Sequence, residues 1–415
     1  MRLDYGKTLT LGLGFLAISM TWSVYNSFVP VFYARFVQSS ALIGLLMTID
    51  NIIGVVLSPW VAYRSDKTWT RFGRRMPYIL LGCPIGALFF ALIPFHTGLW
   101  PLLVATIGMN LAVGFYRAPA VALMPDTTPR PLRSQANGII NLMGGVGAVA
   151  AYFIAAPLFR QASHLPFVLT ATAAVIAVSL FYLRIREPRQ LTRDEAVAGA
   201  TFLDAVRSIF RPSRRGALYL LLAIFAYFIG HQGVESFFTL YAVRVLGVDA
   251  AAGAFTFGFL AVSFIILAVP AGLLAARFGR RRCVQAGVLL LLGVFLAVFA
   301  TRSVQTVRLL FLLAGGLAWA LVNVNAYPML VEMASDAETG TFTGLYYFFQ
   351  SAAAISGPPL IGLLKDLFGY QYLFLYCAIP MVAAFWLVGK VRGGEAPAEA
   401  SSALAPAAPG ATAPS

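Results

Sequence analysis

Twelve long apolar runs alternate with short polar segments along the whole chain. The runs cover residues 8–34, 41–63, 77–95, 100–124, 135–159, 165–183, 217–242, 251–275, 283–301, 309–333, 341–364 and 368–389. A helix needs about 20 mostly apolar residues to cross a hydrocarbon layer about 30 Å thick. Each run has roughly that length, so the pattern predicts twelve transmembrane helices.

Composition supports a lipid environment. Apolar residues make up 60% of the chain and charged residues only 11%, whereas soluble domains carry roughly 25% charged residues. The first run, 8–34, is too long for the apolar core of a signal peptide and lacks a small-x-small cleavage pattern, so we interpret it as the first span. Cys83, Cys283 and Cys377 fall inside apolar runs without paired spacing, as expected of small buried side chains. We therefore expect an all-α integral membrane protein.

The net charge of +14 is distributed unevenly between the two ends of the predicted spans. Of the 30 Lys and Arg residues, 23 lie on the side of the termini, 6 lie on the opposite side, and Arg117 lies inside a span. Because basic residues concentrate on the cytoplasmic side, this bias predicts that both termini are cytoplasmic. The basic residues form short clusters between apolar runs rather than one basic face, so we expect no nucleic-acid partner.

The predicted spans divide into two sets of six. The basic stretch 185–216 separates an N-terminal bundle, 1–184, from a C-terminal bundle, 217–391. The tail, 392–415, is rich in Ala, Pro, Ser and Gly, and we expect it to be disordered because it has little to bury.

The two sets also repeat. At an offset of 206 residues, Gly73-Arg74-Arg75 aligns with Gly279-Arg280-Arg281, and Asp126 aligns with Glu332. Parallel repeats of six helices are the architecture of one large class of secondary transporters.

Two loop segments resemble a known family. Segment 65–77 ends Arg71-Phe72-Gly73-Arg74-Arg75-Met76-Pro77 and resembles the signature of the major facilitator superfamily between helices two and three. It is similar in particular to the glycoside–pentoside–hexuronide symporters and the sucrose/proton symporters, as is segment 124–138 between spans four and five. The resemblance implies two pseudo-symmetric six-helix bundles around a central cavity, and cation-coupled transport of a sugar.

The chain departs from this pattern at two places. The second copy of the signature, 272–282, has Ala276 where the signature has Asp. Sodium-coupled members of the sugar group carry further carboxylates in helices two and four, whereas span two offers only Asp50 and span four offers none. A proton is therefore the expected coupling ion.

Asp50 and Arg117 are the charges expected to matter most, because each lies inside an apolar run. Charged residues within spans normally face a cavity and mark ion or proton pathways. Our hypothesis is that protonation of Asp50 releases Arg117. The alternatives are a static Asp50–Arg117 ion pair, a helix-packing hydrogen bond from Asp50, or an Arg117 side chain that reaches the nearby membrane surface.

Polar and aromatic side chains at helical spacing indicate the walls of a substrate site. The candidates are Trp22, Tyr25, Asn26, Asn110, Arg117, His231, Gln232, Glu235, Trp319, Asn323, Tyr327 and Gln350. Amides, carboxylates and aromatic rings suit the hydroxyls and flat C–H faces of sugars, and also suit other polar solutes. His231 and Glu235 are spaced as metal ligands could be, but the pattern offers no third ligand, so we expect no metal. We expect no cofactor.

The loops on the side of the termini carry a second group of candidates, which we expect to act in gating. They are Asp66, Arg71, Gly73, Arg74, Arg75, Asp126, Arg133, Gly279, Arg280 and Arg281. Charge-assisted bonds among them could hold one half against the other and break when the halves rock. Simple positive-inside anchoring is the alternative for Arg74 and Arg75, but it does not explain Asp66.

The sequence therefore predicts a proton-coupled transporter that takes up a disaccharide or glycoside, and not an enzyme. We expect a monomer in a cell membrane, with a bacterial inner membrane fitting the resemblance. An exporter or facilitator of drugs or other organic solutes is the main alternative, because fold alone does not settle function. An integral membrane enzyme or a sensor is a more remote one, since the short loops offer neither catalytic clusters nor a soluble domain.

Overall fold

The computed structural model describes residues 3–129, 132–185, 187, 214–335 and 338–394. The residues between 187 and 214, which make up most of the predicted linker, and the tail from 395 onward lie outside this described part. Expectations about the linker's boundaries and the tail's disorder therefore remain predictions.

The described residues form twelve membrane-length helices, as predicted. These are α1 Tyr5–Tyr33, α2 Ser40–Lys67, α3 Met76–Phe95, α4 Leu99–Thr127, α5 Gln135–Leu158, α6 Leu165–Arg184, α7 Arg215–Arg244, α8 Ala250–Phe278, α9 Arg280–Ala300, α10 Val304–Val331, α11 Thr339–Phe368 and α12 Tyr370–Lys390. All but α11 are both long and apolar enough to cross a membrane. The all-helical membrane fold is thus confirmed.

One helix is interrupted close to a predicted functional residue. Helix α2 consists of Ser40–Met47 and Ile49–Lys67, joined at Thr48. Unpaired backbone groups are costly inside a bilayer. The Thr48 hydroxyl donates to the Leu45 carbonyl at 2.8 Å and so satisfies one acceptor at the break. The interruption places Asp50 in the first turn of the second segment.

The two halves, α1–α6 and α7–α12, have matching internal packing. In the N-terminal half α1 packs on α5 and α6, α2 packs on α4, and α3 packs on α4 and α6. The C-terminal half repeats each of these pairs six helices later. The halves meet chiefly where α2 packs on α11, α5 on α8, and α1 on α7. This arrangement is two pseudo-symmetric six-helix bundles.

The halves define two ends of the molecule. The basic end carries the start of α1, the end of α12 and the loops after α2, α4, α8 and α10. The far end carries the loops after α1, α3, α5, α7, α9 and α11.

The contact between α1 and α5 depends on a glycine. A methyl group at Gly147 of α5 would lie 2.1 Å from the Leu16 carbonyl oxygen of α1. Helix backbones approach this closely only where small residues face each other.

The substitution Gly147→Ala should therefore force α1 and α5 apart. We expect it to lower the free energy of unfolding by about 1–3 kcal/mol, the usual cost of overpacking. The measurement is the apparent melting temperature of the purified protein in detergent. The control is Gly138→Ala on the same helix, where an added methyl group meets nothing within 4 Å. Equal melting temperatures for the two variants would contradict this account.

Candidate functional site

A polar cavity of about 180 Å³ lies between the two halves. Five of the predicted substrate residues line it together with Asp50: Trp22, Asn26, Arg117, Gln232 and Glu235. They come from α1, α2, α4 and α7, so both halves contribute to one site. The structure therefore brings together the intramembrane charges that the sequence distributes over more than 180 positions.

Glu235 bridges the two halves inside this cavity. Its Oε1 accepts a hydrogen bond from Asn26 Nδ2 of α1 at 2.9 Å. Its Oε2 lies 3.7 Å from His231 Nδ1, one turn away on α7. The His231 ring in turn stacks on Trp319 of α10, with centroids 3.7 Å apart and an angle of 13° between the rings. The Asn26–Glu235 hydrogen bond therefore joins the two halves inside the cavity, whereas His231 Nδ1 lies beyond hydrogen-bonding distance of the carboxylate.

Asp50 and Arg117 face the same cavity without a direct ion pair between them in the described part of the chain. Asp50 Oδ1 accepts a hydrogen bond from Asn51 Nδ2 at 2.9 Å. Arg117 and Glu235 both lie within electrostatic range of Asp50. A static Asp50–Arg117 ion pair therefore does not describe this conformation, and the hypothesis that protonation of Asp50 releases Arg117 stays a prediction.

The remaining predicted substrate residues lie beside the cavity lining rather than in it. Tyr25 is buried behind Trp22, and its hydroxyl accepts from Asn110 Nδ2 at 3.3 Å. The hydroxyl oxygens of Tyr327 and of Thr343 on α11 are 3.1 Å apart. Asn323 and Gln350 are partly exposed and outside the lining. His231 and Trp319 lie outside the lining, behind Gln232 and Glu235.

Sequence reasoning missed several lining residues: Met47, Asn51, Ser236, Ala354 and Pro358. Asn51 and Ser236 are direct neighbours of the predicted Asp50 and Glu235. Ala354 and Pro358 follow Gln350 at successive helical turns, a spacing that was visible in the sequence. The cavity therefore lies nearer the far end of α11 than the predicted Gln350.

At the far end the cavity is closed by bonds between the halves. Asp366 of α11 accepts hydrogen bonds from the Ser39 hydroxyl at 2.8 Å and from the backbone N–H groups of Ser40 and Ala41 at 2.6 and 3.0 Å. A carboxylate from one half thus caps the first turn of α2 in the other, where the helix dipole favours negative charge. Arg160 and Asp249 form a second bridge between the halves, with 2.9 Å between Nη2 and Oδ2.

Within the described part of the chain, the hydrogen bonds and ion pairs identified between the halves all lie at the cavity or at the far end. The basic end is held by bonds inside each half instead. In the described residues the two halves are therefore bonded to each other at the cavity and at the far end.

Four of the predicted gating residues of the N-terminal half, Asp66, Arg74, Arg75 and Asp126, form one ionic cluster. Arg74 pairs with Asp126 at 2.7 Å and with Asp66 at 3.6 Å, and Arg75 contacts the same two carboxylates. The cluster holds α2, α3 and α4 together. The expectation that these residues hold one half against the other is therefore wrong for this conformation, because their partners belong to the same half.

Glu187, after α6, is a member of this cluster that the sequence analysis did not single out. Its carboxylate accepts the backbone N–H groups of Arg74, Arg75 and Met76 at 2.7–3.0 Å, at the beginning of α3. Gly73 makes room for it, since a methyl group there would lie 2.8 Å from the carboxylate and the backbone has a φ of 113°. The start of the linker is thereby attached to α3.

The C-terminal half repeats part of the cluster. Gly279 has a φ of 90°, and Arg280 pairs with Glu332 at 2.9 Å, at the positions equivalent to Gly73, Arg74 and Asp126. Arg281 Nη2 donates to the Gly389 carbonyl at 2.6 Å. The offset found in the sequence therefore also relates the contacts.

The other two predicted gating residues have local contacts. Arg133 donates to the carbonyls of Pro125 and Thr128 at 2.9 and 3.2 Å and so caps the end of α4. Arg71 lies over the Phe72 ring, 4.6 Å from its centroid.

The chain matches the family model of the Major Facilitator Superfamily over residues 11–268 and 261–414. It therefore belongs to that family, and it is a transporter rather than an enzyme.

Curated relatives differ in what they carry. The isoprimeverose transporter of Lactiplantibacillus pentosus is 24% identical over 69% of this chain, which spans 62% of that protein's length. The class D tetracycline resistance protein of Salmonella ordonez is 25% identical over 85% of this chain and 84% of that protein. A sucrose transport protein of Oryza sativa subsp. japonica is 24% identical over 36% of this chain and 32% of that protein. Sugar transporters and a drug resistance protein thus lie at similar distances from this chain.

Solved structures show the same fold. A bacterial homologue of the human lysosomal transporter Spinster, in an inward-facing and unoccupied conformation, superposes with a TM-score of 0.77 at 16% identity, over 94% of this chain and 98% of that one. The nucleoside transporter NupG superposes with a TM-score of 0.71 at 16% identity, over 94% and 100%.

The substitution Asp366→Asn should loosen the far end. An amide has one acceptor oxygen where the carboxylate has two, so it cannot accept all three bonds from residues 39–41. Hydrogen bonds to charged groups contribute about 1.5–3 kcal/mol, so we expect at least a tenfold shift toward a conformation open at the far end. The measurement is the distance between spin labels at Thr97→Cys and Arg302→Cys, one in each half, by pulsed electron paramagnetic resonance in nanodiscs.

The matched control is Asp249→Asn, which neutralises the other bridge at the same end. Its ion pair is more than half exposed, with side-chain exposures of 57% and 53% for Arg160 and Asp249, and exposed pairs contribute little. An unchanged distance distribution in Asp366→Asn, or an equal change in both variants, would argue against the capping role of Asp366.

Proposed function

We propose that this transporter carries a sugar, a disaccharide or glycoside, together with a proton, into a bacterial cell across the inner membrane. In this proposal both termini are cytoplasmic, the basic end faces the cytoplasm, and the monomer is the working unit. The observation that carries the proposal is the cavity itself, where three amides, two carboxylates and a guanidinium from both halves surround one space beside Trp22.

The chemistry of the lining suits a polyhydroxylated solute. Glu235, Gln232 and Asn26 offer both donors and acceptors to hydroxyl groups. Trp22 offers a flat apolar face, and its ring is fixed edge-on against Tyr25 with centroids 5.6 Å apart. Similarity to sugar transporters supports the same substrate class.

Coupling would follow from the charges in the cavity. In the proposed cycle Asp50 binds the proton, which removes its negative charge and weakens its attraction for Arg117. Arg117 is then free to donate to substrate hydroxyls, which its planar five-donor group suits. Substrate that bonds to Glu235 would compete with Asn26 for Oε1, and so would change the bond that joins the halves. Binding and rocking are thereby linked.

Export of a drug or another organic solute is the second candidate. Similarity to the tetracycline resistance protein favours it. The polar lining favours it less, because a site for drug-sized ligands is usually lined mostly by apolar and aromatic groups.

Uptake by proteoliposomes separates these candidates. Labelled sucrose and maltose are offered under an inward proton gradient, an inward sodium gradient, or neither, with tetracycline flux measured in parallel. We expect accumulation of a sugar above the equilibrated level only with the proton gradient. Folded protein that moves neither sugar under any gradient, but exchanges tetracycline for protons, would support export instead.

The substitution Asp50→Asn should separate binding from coupling. The amide imitates the protonated acid, so we expect exchange of sugar across the membrane to persist while proton-driven accumulation falls to the equilibrated level. Both are measured in the same proteoliposomes. Asp249→Asn, which neutralises a carboxylate outside the cavity, should accumulate sugar normally. An Asp50→Asn protein that still concentrates sugar would remove Asp50 from the coupling mechanism.

A further inference from the structure

A second polar cavity lies at the basic end of the C-terminal half, away from the substrate site. Its volume is about 750 Å³. It is formed where α7 and α9 begin and α12 ends, and is lined by Arg215, Gly216, Tyr219, Arg281, Gly389, Lys390 and Arg392. We call it the α12 basic cavity. Four cationic side chains from three elements thus converge on one space, and none of the lining residues within the described ranges is a carboxylate.

The cavity lies at the depth of a membrane surface. Helix ends mark that depth, and Trp and Tyr side chains are enriched there. Trp386, one turn before the end of α12, is 66% exposed. The Lys390 ammonium lies 3.9 Å from its ring centroid. The cation and the aromatic ring are therefore arranged as at an interface between lipid headgroups and acyl chains.

An apolar path leads from the cavity along the lipid-facing side of α12. Ile379, Val382 and Trp386 are all exposed, and their spacing of three and four residues places them on one face. A ligand with an anionic head in the cavity could lay a hydrocarbon chain along this face. Inorganic phosphate would use the cavity alone.

We propose that the α12 basic cavity binds the phosphate headgroup of an anionic phospholipid, with an acyl chain along Ile379, Val382 and Trp386. Basic pockets between helices on the cytoplasmic side are the usual form of such sites. Positive-inside anchoring requires basic residues at this end but does not require that they share a cavity. The convergence of charge and the adjoining apolar face together point to a lipid.

The test is lipid binding by the purified, delipidated full-length protein, followed by native mass spectrometry. Phosphatidylglycerol and phosphatidylcholine with the same acyl chains are titrated separately. We expect the wild-type protein to prefer phosphatidylglycerol. The double variant Lys390→Gln/Arg392→Gln should lower the affinity for phosphatidylglycerol about 30-fold, because it removes two basic residues and each contributes about tenfold or somewhat less near an anionic membrane surface. Its affinity for phosphatidylcholine should not change.

The matched control is Arg64→Gln/Lys67→Gln on α2. It also removes two positive charges beside interface aromatic rings at the basic end, where Arg64 lies over Trp60 and Lys67 over Tyr63, but both residues lie outside the cavity. It should keep the wild-type preference. An equal loss in both variants would reduce the effect to overall charge and overturn the proposal.

Two further measurements complete the experiment. If inorganic phosphate displaces phosphatidylglycerol at matched concentration, the cavity takes free phosphate and the lipid assignment is wrong. If the wild-type protein shows no preference between the two lipids, the proposal fails outright. The apparent melting temperature of each variant in phosphatidylcholine shows that it is folded, so a lost preference reports the site.

Discussion

The cost of placing a charge in hydrocarbon governs this structure. Charged side chains inside spans are tolerated when they face a cavity or a partner, and Asp50, Arg117 and Glu235 all face the same cavity. Because these residues come from three helices of two different halves, the cavity can form only if the halves assemble around it. The intramembrane charges therefore both require the central cavity and give it its chemistry.

The fold could be predicted because it depends mainly on the order of apolar and polar residues along the chain. Length and polarity of the runs locate all twelve helices, with ends that differ from prediction by no more than five residues. Asp50, Arg117 and Glu235 could be predicted for the same reason, since an isolated charge in an apolar run is visible in sequence. Asp366 and Glu187 could not be, because each lies at a helix end or in a loop, where charges are common.

The contacts of those two residues explain why they escape sequence reasoning. Asp366 bonds to residues 325–327 positions away, and Glu187 bonds to residues 111–113 positions away. Such pairs depend on how complete helices pack, which local periodicity does not contain. The repeat offset does carry information about long-range contacts, since it relates the Arg74–Asp126 ion pair to the Arg280–Glu332 ion pair. The offset still does not reveal that each ion pair joins residues of the same half.

The bonds between the halves differ in what can take their place. When Asp366 leaves the first turn of α2, water at the surface can hydrate both the carboxylate and the freed N–H groups, so the exchange has nearly balanced enthalpy. Glu235 and Asn26 lie deeper, in a cavity of about 180 Å³ with room for few solvent molecules. There a solute hydroxyl is a better replacement than bulk water. The outer contact can therefore exchange with water, whereas in the proposed mechanism the inner contact exchanges with the substrate.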